Sequence, residues 1–137
     1  MPLINYLNFD QQAKKAIKFY QEVFETEEPN IMTYGEFNDP SYQAPDHIKD
    51  LVMHCEMKII GERLMISDTP RGFGFDFIAG NNVTIAVVLS DSKALKKYYD
   101  RISEGAKVIT PFEKTSFSEG YGYLYDKFGI GWQFITE

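Results

Sequence analysis

The chain has 137 residues, a net charge of −6 and a single cysteine, Cys55. This length suits one domain with its own core, and the acidic balance without a basic cluster excludes binding to a phosphate backbone. One cysteine excludes an intrachain disulfide and a cysteine-rich zinc site, and no apolar run is long enough to cross a membrane. We therefore expect a cytoplasmic protein with no nucleic-acid partner and no membrane partner.

The sequence of the first half predicts a strand at 3–9, an amphipathic helix at 11–25 and a second strand at 31–37. A polar loop at 38–50 and a hairpin formed by 51–59 and 62–67 follow. Asp10 precedes the helix and offers an N-cap. The hairpin turns at Ile60-Gly61. A glycine-rich stretch at 69–80 then predicts a linker.

The second half repeats this order, with strands at 83–89 and 106–112 and a hairpin formed by 120–126 and 130–136. Its helix can be capped by Asp91 or Ser92 and ends before Gly105. Matching positions lie 79 residues apart for Asn5 and Thr84, and 68 apart for Met65 and Gln133. The repeat predicts one α+β domain of residues 1–137, built from two βαβββ modules at about 1–68 and 81–137.

One predicted strand combines an apolar face with a polar one. Met53, Cys55 and Met57 alternate with His54 and Glu56, so we expect the first set to pack on the helix and the second to point away from it. A histidine can act as general base near neutral pH, and Glu56 could orient it or bind a polar group. The alternative is a structural or solvated polar pair. Cys55 is expected to be a buried, inert thiol.

Several segments carry a family resemblance, namely Phe9-Asp10, Ala16-Ile17-Lys18-Phe19-Tyr20, Met53 to Lys58, Leu64 to Asp68, and Tyr121-Gly122 followed by Asp126-Lys127-Phe128-Gly129 and Trp132. They resemble PhnB-like proteins of the vicinal oxygen chelate superfamily, which includes glyoxalases, fosfomycin- and bleomycin-resistance proteins and extradiol dioxygenases. The resemblance implies a glyoxalase-like fold with cupped sheets around a pocket, and a homodimer. Some relatives are described as demethylubiquinone methyltransferases, but the sequence has no glycine-rich strand–turn–helix unit to hold an adenosyl cofactor.

In metal-dependent relatives, four inward side chains hold one divalent ion. The resemblance places these positions at Asn5, Met65, Thr84 and Gln133. Divalent catalytic metals usually take histidine nitrogen or carboxylate oxygen, whereas these four side chains are neutral amide, hydroxyl and thioether groups. We therefore expect the four to share one cavity that holds no metal, and we predict no cofactor.

The leading hypothesis is a metal-independent small-molecule-binding protein whose ligand is unknown. Its expected ligand-binding residues are Asn5, Leu7, His54, Glu56, Met65, Ser67, Thr84, Phe117, Tyr123 and Gln133. Relatives place a tryptophan just after the position of Phe117, where this chain has Ser118, which weakens any inherited substrate preference. Two alternatives stay open: a lyase or isomerase using His54 or Glu56 as acid or base, and a metal-dependent lyase or dioxygenase with atypical ligands.

Overall fold

The structure is a computed structural model that describes residues 2–37, 39–41, 43–74 and 76–137. The chain divides into two compact units, unit 1 (Met1–Ile78) and unit 2 (Ala79–Glu137). The boundary falls inside the predicted linker at 69–80. That the two modules together form one domain stays a prediction.

Each unit has the predicted βαβββ order. Unit 1 contains β1 (Asn5–Phe9), α1 (Ala13–Phe24), β2 (Ile31–Thr33), β3 (Val52–Ile59) and β4 (Glu62–Asp68). Unit 2 contains β5 (Thr84–Leu89), α2 (Ser92–Ile102), β6 (Lys107–Glu113), β7 (Tyr121–Tyr125) and β8 (Gly131–Thr136). The predicted α+β, glyoxalase-like fold class is confirmed.

Each unit forms one mixed four-stranded sheet with the same topology. The strand orders are β1-β4-β3-β2 in unit 1 and β5-β8-β7-β6 in unit 2. The first strand pairs parallel with the last strand of its unit, and the other pairs are antiparallel. A strand-to-parallel-strand connection needs a crossover, and the helix of each unit lies in that connection and packs on one face of its sheet.

The start of α1 is stabilised by a distant carboxylate, and the predicted cap at Asp10 is wrong. The N-cap residue is Gln12, which makes no side-chain cap. Instead, Asp68 at the end of β4 accepts hydrogen bonds from the Ala13 and Val52 backbone N–H groups, both at 2.9 Å. Asp10 forms an ion pair with Arg71 at 3.0 Å. One buried carboxylate therefore ties together the starts of α1 and β3 and the end of β4.

Burial raises the pKa of Asp68, and the two backbone hydrogen bonds oppose that shift only in part. In unit 2 the helix start follows the local prediction. The Asp91 side chain accepts hydrogen bonds from the Lys93 and Ala94 N–H groups at 3.0 and 3.2 Å, which confirms the predicted cap.

The core of each unit lies between its helix and one sheet face. In unit 1, Cys55, Met57 and Ile66 are buried there, and burial raises the pKa of the Cys55 thiol to about 11, so the expected buried thiol is confirmed. Met53 is an exception to the predicted alternation. The β2–β3 register shifts between Met32 and Thr33, which leaves Met53 half-buried while Val52 takes the buried position.

The segment Asp126-Lys127-Phe128-Gly129 is the turn between β7 and β8, and its role in unit 2 is structural. One Asp126 oxygen accepts from the Phe128 and Ile130 N–H groups at 2.8 and 3.0 Å, and the other accepts from the Trp132 indole N–H at 2.9 Å. Trp132 is only 1% exposed. The turn and the core of unit 2 are thus joined through one carboxylate.

None of the helices in the described parts of the chain is long and apolar enough to span a bilayer.

Candidate functional site

In unit 1 the sheet face opposite α1 carries the polar candidates. We call it the histidine face, and its residues are Tyr6, Asn8, Met32, His54, Glu56, Met65 and Ser67. The register places Met65 between Tyr6 on β1 and Glu56 on β3, and side chains of paired residues share a face. The expectation that His54 and Glu56 point away from the helix is confirmed.

His54 pairs with a residue that the sequence analysis missed. The Tyr6 hydroxyl lies 3.1 Å from His54 Nδ1, and the two ring centroids are 5.8 Å apart. Tyr6 lies on β1 and His54 on β3, with β4 between them, so only the sheet order brings the two together.

Glu56 is engaged elsewhere and does not orient His54. Its Oε1 atom accepts a hydrogen bond from Arg63 Nη2 at 2.7 Å. This bond, more than the nearby charges, holds the pKa of Glu56 below its usual value. Ser67 donates to the Asn8 side-chain oxygen at 3.0 Å, so two of the predicted polar residues already have partners in unit 1.

The expected orientation of Asn5 and Leu7 is wrong. Asn5 pairs with Leu64 and Leu7 with Ile66, and both partners are buried on the helix side. Asn5 and Leu7 therefore lie on the face that packs on α1, and they do not share a face with Met65. Because side chains alternate along a strand, an error of one residue moves a side chain to the other face.

The two registers correct the internal repeat. On the last strands of the two units, Leu64 corresponds to Trp132, 68 residues later. On the first strands, Leu64 pairs with Asn5 and Trp132 pairs with Ile85, so Asn5 corresponds to Ile85. The first strands therefore match 80 residues apart, not 79. The counterpart of Thr84 is then Ile4, an apolar side chain, and not Asn5.

In unit 2 the face opposite α2 carries the other candidates. We call it the tyrosine face, and its residues are Thr84, Tyr121, Tyr123, Tyr125 and Gln133. Gln133 is the central member because its amide has partners at both ends. Its Oε1 accepts from the Tyr121 hydroxyl at 2.6 Å, and its Nε2 donates to Thr84 Oγ1 at 3.0 Å. The predicted neighbours Thr84 and Gln133 are thus in direct contact.

The other two tyrosines form a second hydrogen-bonded chain. The hydroxyls of Tyr123 and Tyr125 are 2.8 Å apart, and Tyr125 donates to the backbone carbonyl of Asn81. Phe117 lies beside this face, 70% exposed, with its ring edge-on to Tyr121 at a centroid distance of 5.2 Å. The alternation of tyrosine at 121, 123 and 125 was the signal that could have revealed the whole face.

Gly131 makes room for two side chains of the tyrosine face. It pairs with Thr84 on one side and with Tyr125 on the other. A Cβ atom added at Gly131 would lie 2.8 Å from Thr84 Cγ2 and 2.9 Å from the Tyr125 ring. A residue without a side chain is therefore required where these two groups approach the strand.

The side chains that the resemblance assigns to the metal positions do not fit a divalent ion. Met65 offers a thioether, and Thr84 and Gln133 offer neutral oxygen and nitrogen atoms that already bond to each other. Such ions prefer carboxylate or imidazole ligands. Within the described ranges, no group of three or more His, Cys, Asp or Glu side chains is arranged to hold a metal.

Two cavities of unit 1 involve none of the expected ligand-binding residues. One, of about 490 Å³, is lined by Gly35, Phe37, Asp39, Pro40, Gln43, Ala44, Asp46 and Lys49. The other, of about 470 Å³, lies at the end of α1 and is lined by Lys18, Gln21, Glu22, Thr26, Glu28, Pro29 and Ile31. Whether the positions of both units converge on one cavity stays a prediction.

Proteins of known sequence and structure are similar to this chain over almost its full length. Protein YjdN of Escherichia coli strain K12 is 27% identical over 143 residues, which cover 96% of this chain and 92% of YjdN. The structure of protein PA1353 from Pseudomonas aeruginosa matches with a TM-score of 0.84 at 22% identity, covering 100% of this chain and 98% of that one.

A third similar structure is a mutant of the fosfomycin resistance protein FosX from Listeria monocytogenes, complexed with Mn(II) and 1S,2S-dihydroxypropylphosphonic acid. It matches with a TM-score of 0.63 at 18% identity, covering 99% of this chain and 91% of FosX. At these identities the likeness to solved structures shows a shared fold. The family model described as 3-demethylubiquinone-9 3-methyltransferase matches residues 2–135. The chain therefore belongs to that family, a PhnB-like group of the vicinal oxygen chelate superfamily.

Proposed function

We propose that this protein binds an uncharged small molecule on the tyrosine face of unit 2, without a metal ion. The observation that carries the proposal is the Gln133 amide, held between the Tyr121 hydroxyl and Thr84 Oγ1. A side chain fixed at both ends is already oriented for a ligand, which lowers the entropy lost on binding. Aromatic rings with a few oriented polar groups are typical of small-molecule sites.

The chemistry of the face favours a neutral ligand. Its five side chains are uncharged when the tyrosines are protonated. Burial raises the pKa of Tyr121, and the hydrogen bond with Tyr123 raises the pKa of Tyr125. These phenols therefore keep their protons at neutral pH, and the face offers a charged ligand no opposite charge to pair with.

The same bonds argue against a metal at Gln133. An ion there would have to break the hydrogen bond from Tyr121 or the one to Thr84 and would gain only a neutral ligand in return. Divalent ions that lose hydration need anionic or strongly donating ligands in exchange.

The proposal concerns binding and does not include methyl transfer. The turns that lead from a strand into a helix contain Asp10-Gln11-Gln12 in unit 1 and Ser90-Asp91 in unit 2. Neither has the glycines that let a backbone approach a bound nucleotide cofactor closely.

An NMR experiment with a library of uncharged aromatic fragments tests the proposal. We expect fragments to shift backbone amides of β7 and β8, equally with and without EDTA. Gln133→Ala should weaken this binding about tenfold, in the range of one or two hydrogen bonds. The control is Lys93→Ala on the exposed side of α2, which should bind as the wild type does.

Two results would contradict the proposal. One is a fragment library that leaves the amides of β7 and β8 unshifted. The other is stoichiometric nickel, zinc, iron or manganese in protein purified without added metal, lost together with fragment binding in EDTA.

The contact between Tyr6 and His54 favours one second candidate, an acid–base enzyme of lyase or isomerase type. If Tyr6 donates to Nδ1, the neutral imidazole carries its proton on Nε2, which could then exchange a proton with a substrate. Glu56 is a weaker candidate because Arg63 already binds it. Once a converted compound is known, His54→Ala should abolish turnover and Glu56→Gln should retain it; the reverse result contradicts this assignment.

We also propose a homodimer, in keeping with the expectation from the family. Apolar side chains such as Tyr6, Met32, Val108 and Ile109 are 45 or 46% exposed, and exposed apolar area often marks an interface. Light scattering at micromolar concentration should give twice the chain mass of 15.8 kDa, and a monomer mass would refute the proposal.

A further inference from the structure

We propose that Tyr123 selects ligands that donate a hydrogen bond, so that the protein prefers uncharged aromatic molecules with an N–H or O–H group. This inference rests on the proposed binding function of the tyrosine face. It goes further by assigning a specificity-determining residue and the hydrogen-bonding sense of the ligand.

The direction of the tyrosine chain follows from its last acceptor. The Tyr125 hydroxyl contacts the backbone carbonyl oxygen of Asn81, and a carbonyl oxygen can only accept. Tyr125 has one hydroxyl proton, so that proton points to Asn81. The 2.8 Å contact between the two hydroxyls then requires Tyr123 to donate to Tyr125.

Tyr123 therefore has no proton left for a ligand. Its phenolic oxygen keeps acceptor capacity, because a hydroxyl can donate once and accept twice. The residue is half-buried on the tyrosine face, and its neighbours in the sheet are Gln133 on β8 and Thr110 on β6. A ligand over this face meets an acceptor at Tyr123, and a ligand group that can only accept would face its lone pairs.

The assignment does not depend on which end of the Gln133 amide carries oxygen. That orientation decides whether Tyr121 donates or accepts, whereas a backbone carbonyl cannot be reversed. The donor role of Tyr125, and through it that of Tyr123, is therefore fixed by the Asn81 carbonyl whichever way the Gln133 amide is oriented. The tilted contact between the Tyr123 and Tyr125 rings, with centroids 5.6 Å apart, keeps the two hydroxyls together.

Three probes of similar size separate the possibilities. Indole has an N–H donor, 1-methylindole replaces that proton by a methyl group, and quinoline has a ring nitrogen that only accepts. Binding is measured by NMR titration of the backbone amides of β7 and β8 near neutral pH. For the wild type we expect indole to bind about three- to tenfold more tightly than either other probe, the value of one neutral hydrogen bond.

Two variants test the direction of the chain. In Tyr125→Phe the Tyr123 hydroxyl loses its acceptor and can donate to a ligand, so the preference for indole over quinoline should fall by about threefold or more. In Tyr123→Phe the acceptor is gone, and indole and 1-methylindole should bind equally. Tyr98→Phe removes a hydroxyl from α2 and should keep the wild-type preference.

The possible failures are distinguishable. If none of the probes shifts the amides of the tyrosine face, the proposed function fails, and this inference fails with it. If the probes bind there with equal affinity, the binding function stands and the selectivity of Tyr123 is refuted. An indole preference that survives unchanged in Tyr125→Phe, in a variant whose spectrum is otherwise native, overturns the assigned direction of the chain.

Discussion

The Asp126 carboxylate should account for much of the stability of unit 2, and Asp126→Asn tests this. The carboxylate accepts from three donors at once: one oxygen accepts from the Phe128 and Ile130 N–H groups, and the other accepts from the Trp132 indole N–H. An asparagine has one oxygen and one NH₂ group. If its oxygen stays with the turn, its NH₂ group faces the indole N–H, and two donors oppose each other.

The expected cost follows from burial. Trp132 is 1% exposed, so an indole N–H without an acceptor has no access to bulk water. A buried donor left unsatisfied costs about 1–3 kcal/mol, and hydrogen bonds to a charged acceptor contribute about 1.5–3 kcal/mol. We therefore expect Asp126→Asn to lower the free energy of unfolding by about 2–4 kcal/mol, with the indole bond as the larger part.

A double-mutant cycle with Trp132→Phe isolates that bond. Urea unfolding is followed by far-UV circular dichroism, because Trp132 is the single tryptophan of the chain and its replacement removes tryptophan fluorescence as a probe. In the Trp132→Phe background no indole donor remains, so Asp126→Asn should cost about 1–3 kcal/mol less than in the wild type. Glu104→Gln, which removes one exposed charge of unit 2, should have little effect. Equal costs of Asp126→Asn in both backgrounds would refute the reasoning.

Three further outcomes are expected. Gly131→Ala brings a Cβ to 2.8 Å from Thr84 Cγ2 and should lower the free energy of unfolding by about 1–3 kcal/mol. It should also weaken fragment binding on the tyrosine face. A variant that unfolds in urea with the same free energy as the wild type would contradict the close approach. Burial raises the pKa of Asp68 above its ordinary value of 3.8, so the folded state binds that proton more tightly and the free energy of unfolding falls as pH rises from 3.8 through the raised pKa. In urea unfolding at several pH values, the difference in free energy of unfolding between Asp68→Asn and the wild type should therefore change across this pH window. A difference that is the same at every pH would contradict the raised pKa of Asp68. Arg63→Ala should return the pKa of Glu56 toward its usual value, and an NMR titration that leaves it unchanged would show that Arg63 is not the cause.

Local patterns predicted the elements well. Period-2 alternation placed Cys55 and Met57 on the helix side and His54 and Glu56 on the other, and a short-range rule identified the Asp91 cap. These succeed because the partners lie within a few residues of each other. The same rule failed at Asp10 because the group that serves Ala13 is Asp68, 55 residues later, and no local pattern carries that information.

The candidate site was predicted less well because strand register is a long-range property. The family resemblance suggested that Thr84 and Gln133 lie together, and the two are in contact, but the 79-residue repeat placed Asn5 on the wrong face by a shift of one residue. The pairing of Tyr6 with His54 depends on β4 lying between β1 and β3, which sequence spacing alone does not show. The family resemblance supplied the positions, and the register decided which of them share a face.

The placement of β8 has a consequence for how unit 2 assembles. This strand is the last of the four strands of unit 2 along the chain, yet it lies inside the sheet, between β5 and β7, and its pairing joins Thr84 to Gly131. Until β8 is present, β5 has no neighbour in its sheet and the α2 side of the sheet lacks Trp132 and Phe134. Contacts between distant parts of the sequence slow folding. Because β4 holds the same place in unit 1 as β8 does in unit 2, the sheet of each unit should order only after its last strand is present, and unit 1 reaches that point first, once Asp68 has been synthesised.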